Sequence, residues 1–371
     1  MKIDRVDVFP IAQSLEVPRG DGRGLSTARN AVIVKISTDE GLWGWGQGGR
    51  VEVIRDLLAP LLSGQDPRET GRLWQRMYEA SRGDRRSVGA VDLALWDLKG
   101  KLTGMSVSQL LGGALRETVP AYASLHNYTP EPDLSGELAA AIRDAGAKGF
   151  RGLKLKIGGR PLAEDLGYIR LAREVAGPDL ALMADANQTY TVPTACKVGR
   201  ILEELDYAWF EEPIPLHDIP GYAQLANTLD IAVAAYEGVG DPAQIAPVLQ
   251  ARAIDIYQPD VVMSGGLTVL QHLAPLAEAF GIASTCHVWD SALIQVASLH
   301  FLATLPPWQS YSMSPVPPPL EVTTLPRQPL NGELLLNPPA IQNDGTFRVP
   351  DAPGLGVEVN PDTLARYAVD R

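Results

Sequence analysis

The sequence predicts an α/β fold: a (β/α)8 barrel with a mixed strand-and-helix segment before it and a turn-rich tail after it. Three observations predict this. From Val119 onward, short apolar runs alternate with helix-length stretches at a repeat of roughly 23–31 residues, enough for one strand and one helix. Most of those runs end on charged or polar residues, at the C-terminal end in each case. The run "GLKLKIGG", residues 152–159, carries two lysines one residue apart in an otherwise apolar strand, where side chains at i and i+2 share a face.

Taken in order, "KIDRVDVFPI" and "NAVIVKISTDEGLWGWGQ" read as strands, the second interrupted by a turn at Asp39-Glu40-Gly41. Between them "VPRGDGRGLSTARN", rich in glycine and arginine, reads as a mobile loop. In "SVGAVDLALWDLKGKLTG" Val91, Leu95 and Leu98 recur at helical spacing, with Gly104 past the end. The barrel strands are then "VPAYASL", "GLKLKIG", "LALMADAN", "YAWFEEP", "IAVAAYE", "IDIYQPDV" and "IASTCHVW", with an eighth near "WQSYSMS". A doubly wound open sheet would also alternate strands and helices. It offers no reason for the polar strand ends, whereas in a barrel those ends converge on one mouth, where active sites are built. The tail from about Leu320 is proline-rich and suits turns and short hairpins that fold back on the N-terminal segment. The expected divisions are 1–118, 119–320 and 321–371.

The composition, 45% hydrophobic and 20% charged over 371 residues, is that of a globular protein with room for a large core. A net charge of -12 speaks against a nucleic-acid partner, which a basic stripe would mark. It also means that an anionic substrate needs local positive charge or a metal ion to approach. The start "MKIDRVDVFPIAQ" lacks a charged-then-apolar leader, and no run of about 18 apolar residues occurs. Cys196 and Cys286 make neither a disulfide framework nor a zinc pattern. The expectation is a cytoplasmic protein with no membrane partner.

The strand ends carry the chemistry. Asp185, Glu211 and Glu237 end three successive strands, so their carboxylates would repel unless a cation sat among them. Oxygen-only ligation favours Mg²⁺, or Mn²⁺, over zinc. For any one acid alone, an ion pair with a neighbouring base is the alternative. In "FEEP", alternation lets only one of Glu211 and Glu212 face the mouth, and the pattern leaves the choice open. Asn187 either bonds substrate or water or caps a loop. Lys154 and Lys156, about 6–7 Å apart on one face, repel by about 2–3 kcal/mol at a dielectric near 20. That lowers one ammonium's pKa towards neutrality, as a general base requires; two lysines reaching out to solvent are the plain alternative. Asp260 and His287 end successive strands and can pair, fixing the imidazole tautomer as a second acid/base group. His126 either reaches substrate or is an ordinary loop histidine, while His217, His272 and His300 read as structural or exposed. Cys286 reads as a packed hydrophobe.

The words "KLKIGG", "ADANQTY", "FEEP", "AYEG", "QPDVVMSGGLT" and "STCHVW", with "AVDLALWDLKGK" and "LLGG" before them, resemble the enolase superfamily, mandelate racemase subgroup, over nearly the whole chain. The resemblance implies an α+β capping domain, completed by the C-terminal tail, over a modified (β/α)8 TIM-type barrel. It implies Mg²⁺ on Asp185, Glu211 and Glu237, Lys156 as base on one face with Lys154 assisting, and His287 oriented by Asp260 on the other. The shared step is removal of the proton α to a carboxylate, giving a Mg²⁺-stabilised enediolate. Mandelate racemase itself carries a glutamate near the eighth strand; here "PPWQSYS" places Gln309 or Ser310 nearby. The C-terminal third is similar to cycloisomerases of acid-sugar lactones such as galactarolactone. It implies an anionic acid-sugar or lactone substrate and β-elimination, with dehydratase, then racemase or epimerase, as alternatives. Arg19 and Arg23, with Arg29, are either ligands of a distal carboxylate or solvated charges. Subgroup relatives imply a homo-oligomer, an octamer among the options. A barrel kept as a non-catalytic scaffold would have no need of these mouth residues.

Overall fold

The structure, a computed structural model, describes residues 1–125, 128–289, 291–308, 316–324 and 329–369. Strands β1 (Ile3–Asp21), β2 (Gly24–Thr38) and β3 (Trp43–Gln47) form an antiparallel sheet in chain order. The turn expected after Thr38 is present, with Thr38 N donating to Leu42 O at 2.9 Å. The helix Arg85–Thr103 starts at Asp84, whose carboxylate accepts from Ser87 N at 3.3 Å, and ends at Gly104 with φ 69°. β3 lies against this helix so closely that a Cβ on Gly44 or Gly46 would stand 2.2 Å or 2.0 Å from a helix carbonyl oxygen. Only glycine permits that approach.

The glycine- and arginine-rich stretch expected as a loop is instead the end of a hairpin. Arg19, Gly20 and Asp21 pair with Ser26, Leu25 and Gly24, around a turn at Gly22 and Arg23. Asp21 Oδ1 closes that turn by accepting from Arg23 N at 2.8 Å. No side chain from Val17 to Asn30 is fully buried, so the strands show no alternation of apolar and polar residues to betray them.

The barrel strands are β4 (Thr118–Leu125), β5 (Gly152–Lys156), β6 (Ala181–Asp185), β7 (Tyr207–Glu211), β8 (Ala232–Ala235), β9 (Ile256–Tyr257), β10 (Ala283–Ser284) and β11 (Leu320–Thr323). All are parallel and each pairs with its chain neighbour, except that β11 returns to β4. A single parallel bridge, Cys286 to Leu320, joins β10 to β11 and closes the ring. Lys156, Asp185 and Glu211 stand in register across β5, β6 and β7, which follows from three strands that each stop on a charged residue.

The eighth strand differs from expectation. Residues 309–314 of the expected stretch lie outside the described residues, and Trp308 makes only an isolated bridge to Val316. The strand beside β4 is Leu320–Thr323, which straddles the expected border at 320. The prolines of "PVPPPL" hide a strand only four residues long. Beyond it, β12 (Thr346–Arg348) pairs antiparallel with the start of β4. The tail then reaches the capping domain: Glu358 accepts from Trp45 Nε1 at 3.1 Å and from Lys101 Nζ at 2.9 Å, and Leu355 N donates to Asp97 Oδ1 at 2.8 Å. Among the described residues no helix is long and apolar enough to cross a membrane.

Candidate active site

The strand ends meet where the barrel opens beneath the β1–β2 hairpin. Lys154 is fully buried and donates to Glu211 Oε1 at 2.6 Å and to Glu321 Oε1 at 2.8 Å, with Asp185 Oδ2 at 3.9 Å. Lys156, two residues on and on the same face, pairs with Asp185. Glu211 spends its other oxygen on Trp209 Nε1 at 3.2 Å and Gln258 Nε2 at 3.1 Å. His287 Nδ1 lies 3.0 Å from Asp260 Oδ2, and Nε2 lies 3.1 Å from Glu237 Oε2. Asp260 is itself fixed, its other oxygen accepting from Val262 N at 2.8 Å and Met263 N at 2.9 Å. Asn187 donates to both oxygens of Asp185, at 2.9 Å from its backbone and 3.3 Å from its side chain.

Electrostatics differ from the expectation for the lysine pair. Repulsion between the two ammonium groups is outweighed by the carboxylates around them. Burial would lower Lys154, but Glu211 and Glu321 raise it well above its ordinary value. Burial would also lower Lys156, and Asp185 raises it despite Lys154. Burial pushes Asp185 up, yet the Lys156 and Lys154 ammoniums hold it down at about 2. Burial raises Glu211 to about 7 against the pull of Lys154. His287, which burial would lower, is lifted to about 10 by the Glu237 carboxylate and the Asp260 hydrogen bond. The Cys286 thiol is buried and its pKa is raised, in keeping with a packed hydrophobe.

Glu212 shows why alternation left the choice within "FEEP" open. β7 ends at Glu211, and Glu212 adopts φ 37°, so the rule of opposite faces no longer applies. Both glutamates are buried. Glu212 Oε2 accepts from Gln188 Nε2 at 2.7 Å, and burial with Glu237 and Asp185 nearby raises its pKa to about 8.

Sequence reasoning missed Glu321. It projects from β11, accepts from Lys154, and takes a second bond from Val288 N at 3.1 Å. A glutamate between Leu320 and Val322 was a visible signal, an acid inside an apolar strand. Gln309 and Ser310, expected in that neighbourhood, lie outside the described residues, as does His126. Arg19 and Arg23 border the mouth but are paired, with Glu137 Oε1 at 2.5 Å and Asp21 Oδ2 at 2.6 Å. His300 is buried and bonded, accepting from Ser108 N at 3.3 Å.

Two cavities compete for attention. The larger, about 1290 Å³, lies against the starts of the strands at the opposite end of the barrel and touches none of the strand-end acids. The smaller, about 640 Å³, is bordered by Lys156, Asn187, Glu237, His287 and Trp289 under the hairpin. Chemistry assigns the smaller.

Among the described residues no three acid, histidine or cysteine side chains form a ready-made metal cage. Asp185, Glu211 and Glu237 are instead turned onto Lys156, Lys154 and His287. The donor set nonetheless fits a hard divalent cation: three carboxylates, no thiolate, and two buried oxygens, Asn187 Oδ1 and Glu212 Oε1, that accept no hydrogen bond.

Residues 137–363 match the family described as enolase C-terminal domain-like, and residues 6–112 match the mandelate racemase/muconate lactonizing enzyme N-terminal domain. The chain is 34% identical to a D-galactarolactone cycloisomerase of Agrobacterium fabrum, covering 99% of each protein. It superposes with a TM-score of 0.89 on the 3,6-anhydro-D-galactonate cycloisomerase of Zobellia galactanivorans, at 31% identity over 100% of both chains. It is also similar, with a TM-score of 0.86 and 25% identity over 100% of this chain and 93% of the other, to the L-talarate/galactarate dehydratase of Salmonella typhimurium, solved with Mg and L-lyxarohydroxamate.

Proposed function

The chain belongs to the mandelate racemase/muconate lactonizing enzyme family of the enolase superfamily, and on that premise we propose that it removes the proton α to a carboxylate of an acid sugar or its lactone and then eliminates the β substituent. The enzyme is an isomerase or lyase, since its relatives are acid-sugar cycloisomerases and dehydratases. Cycloisomerisation of a lactone is the reaction proposed first.

One observation carries the reading. Lys156 and the Asp260-oriented His287 border a single cavity from strands separated by β4 and β11 on one side and by β6–β9 on the other. A substrate carbon held between them presents one face to each base. Asp185, Glu211 and Glu237 would hold Mg²⁺, which when bound supplies Lewis-acid neutralisation of the substrate carboxylate. Asp185, which raises the pKa of Lys156 while paired with it, would turn to Mg²⁺, and Lys156 so released would receive the proton at Nζ. Lys154, fixed by Glu211 and Glu321, favours a neutral neighbour and faces the negative charge that grows on the carboxylate oxygens. On the other face Asp260 holds His287 Nδ1, leaving Nε2 to exchange a proton. Asn187 Oδ1 takes a substrate hydroxyl or a water.

Dehydration of the open acid is the second reading, favoured by the same Asp260–His287 pair: a leaving hydroxide needs a proton where a leaving carboxylate does not. Incubation of aldonic and aldaric acids and their lactones with Mg²⁺ in D₂O, followed by proton NMR, tests both. A keto-deoxy product from the lactone supports cycloisomerisation, and one from the open acid supports dehydration. Deuterium in unchanged substrate or its epimer without elimination would point to a racemase or epimerase. The absence of both exchange and elimination across the panel would sink the reading.

A further inference from the structure

The proposed base depends on groups that do not touch the cavity. Lys156 is the last residue of β5, and among the described residues Asp185 is the only carboxylate paired with it. Once Asp185 ligates a cation, the ammonium hangs on a flexible stem from a strand end. Its aim then depends on how firmly the backbone beyond Lys156 is held. Ile157 N donates to Asp185 O at 2.8 Å, and Gly158 N donates to Asp165 Oδ2 at 2.9 Å. Gly158 has φ 86°, and a Cβ there would stand 1.9 Å from Thr189 Oγ1, so this tight turn requires glycine.

Asp165 lies in the first turn of the helix Leu162–Ala176, is fully buried, and stands outside the residues that border the cavity. Its carboxylate gathers the loops that follow β4, β5 and β6. Besides Gly158 N, Oδ2 accepts from the Tyr190 hydroxyl at 3.2 Å, in the loop that carries Asn187. Oδ1 accepts from the Tyr128 hydroxyl at 2.6 Å, and that hydroxyl in turn accepts from Gly159 N at 3.1 Å. Burial and the Asp165 carboxylate raise both phenols, so both stay donors. Tyr128 also carries the hairpin, exchanging both backbone hydrogen bonds with Gly20 at 2.9 and 2.7 Å. The tip rests on the loop of the base: a Cβ on Gly22 would stand 2.8 Å from Thr189 Cγ2 and 3.0 Å from Gly158 O. Among the described residues no ammonium or guanidinium pairs with Asp165. A carboxylate buried without a cation is a costly way to join loops, and what it adds over apolar packing is direction.

We propose that Asp165 is a positioning residue for proton transfer: it fixes the backbone that aims Lys156 and, through Tyr128, ties the hairpin roof to that same backbone. The inference rests on the α-proton chemistry proposed above, with Lys156 as the base. Asp165 acts through Lys156 and not through His287, which follows β10 and borders the cavity from another strand.

Two measurements on the full chain test this. The first is hydrogen–deuterium exchange of the metal-free protein, read by mass spectrometry. Asp165→Asn is expected to speed amide exchange in 157–160 and 19–25 by about tenfold, the weight of one or two hydrogen bonds. The segment around Asp260 and His287 should keep the wild-type rate. The second is α-proton exchange with aldonic and aldaric acids and their lactones, with Mg²⁺ in D₂O. The same variant should lower kcat about 10- to 100-fold and change KM by less than about threefold, as misplacement of a reacting group does. Added to Lys156→Ala, it should cost less than about threefold more, because the group it positions is gone. A carboxylate with a merely structural role would lower both backgrounds alike. Tyr128→Phe leaves Asp165 bonded to Gly158 and serves where Asp165→Asn does not fold. It should speed amide exchange in the same two segments and lower kcat by about 3- to 10-fold. Unchanged amide exchange in both segments, or equal rate losses with and without Lys156, would overturn the inference and leave the α-proton reading standing. A wild type that exchanges no α proton across the panel would overturn both.

Discussion

Two completely buried aspartates in this molecule, Asp92 and Asp185, are treated in opposite ways. At the seam between the capping domain and the barrel, Asp92 accepts from Thr268 N at 3.0 Å and from the Thr268 hydroxyl at 2.5 Å, with Trp96 Nε1 donating to that same hydroxyl at 2.9 Å. Among the described residues no ammonium or guanidinium is bonded to it. Burial pushes its pKa up to about 7 despite those donors. At the mouth, Asp185 is equally buried but faces Lys156 and Lys154, and it is held at about 2. Neutral donors suit an aspartate whose work is to dock one domain on another. Paired cations keep a carboxylate charged inside the protein, which is the state that a metal ligand needs.

The contrast can be broken from the mouth. Lys156→Ala should cost about 10²–10⁴ in α-proton exchange, the usual weight of a general base, read by deuterium uptake in NMR. A loss below tenfold would move the base elsewhere. Lys154→Met should come next, destabilising the metal-free protein by about 3–5 kcal/mol, since it strands Glu211 and Glu321 beside Asp185 without their ammonium. Denaturant melts with and without Mg²⁺ check this, with the metal expected to recover part of the loss. Asp260→Asn should lower turnover about 10- to 100-fold by loosening His287, and it should change the pH profile more than KM.

The seam offers the smaller, sharper test. Asp92 binds its proton more tightly folded than unfolded, so its contribution to stability is full below the ordinary carboxylate range and is lost as pH rises through about 7. The steepest slope is about 1.4 kcal/mol per pH unit. Asp185 runs the other way, its contribution present above the ordinary range and lost as pH falls through about 2. Urea melts of the metal-free protein at a series of pH values should show the first slope flattened in Asp92→Asn and the acid limb unchanged. Slopes that match the wild type would mean that Asp92 is ionised in the fold. The smallest expected effect is that of Trp209→Phe, about 1 kcal/mol for the lost donation to Glu211.

Much of the site was legible because polar residues in apolar strands have few places to go. Lys154, Lys156, Asp185 and Glu211 sit within or at the ends of short strands, and parallel pairing brings them side by side whatever the loops do. Glu237, Asp260 and His287 follow the same logic just beyond β8, β9 and β10. What failed depended on contacts distant in sequence. Glu321 was missed because a four-residue strand after a run of prolines has no period of its own; β4 supplies the partner that makes it a strand. The hairpin looked like a loop because its side chains are not buried. The direction of the lysine pKa shifts failed because pairwise repulsion was legible in "KLK" while the acids that outweigh it come from three other strands, β6, β7 and β11.

The return of β11 to β4 also has a consequence for synthesis. On one side, β4 pairs with β5 soon after both leave the ribosome, but its other edge must wait for residues 320–323, nearly two hundred positions later, and for Thr346–Arg348. Until then the nascent barrel is an open sheet with a bare hydrogen-bonding edge, the kind of surface that pairs with the wrong neighbour. Ring closure is therefore expected as a late, slow event, and premature termination before Leu320 should leave a chain that aggregates rather than a smaller working enzyme.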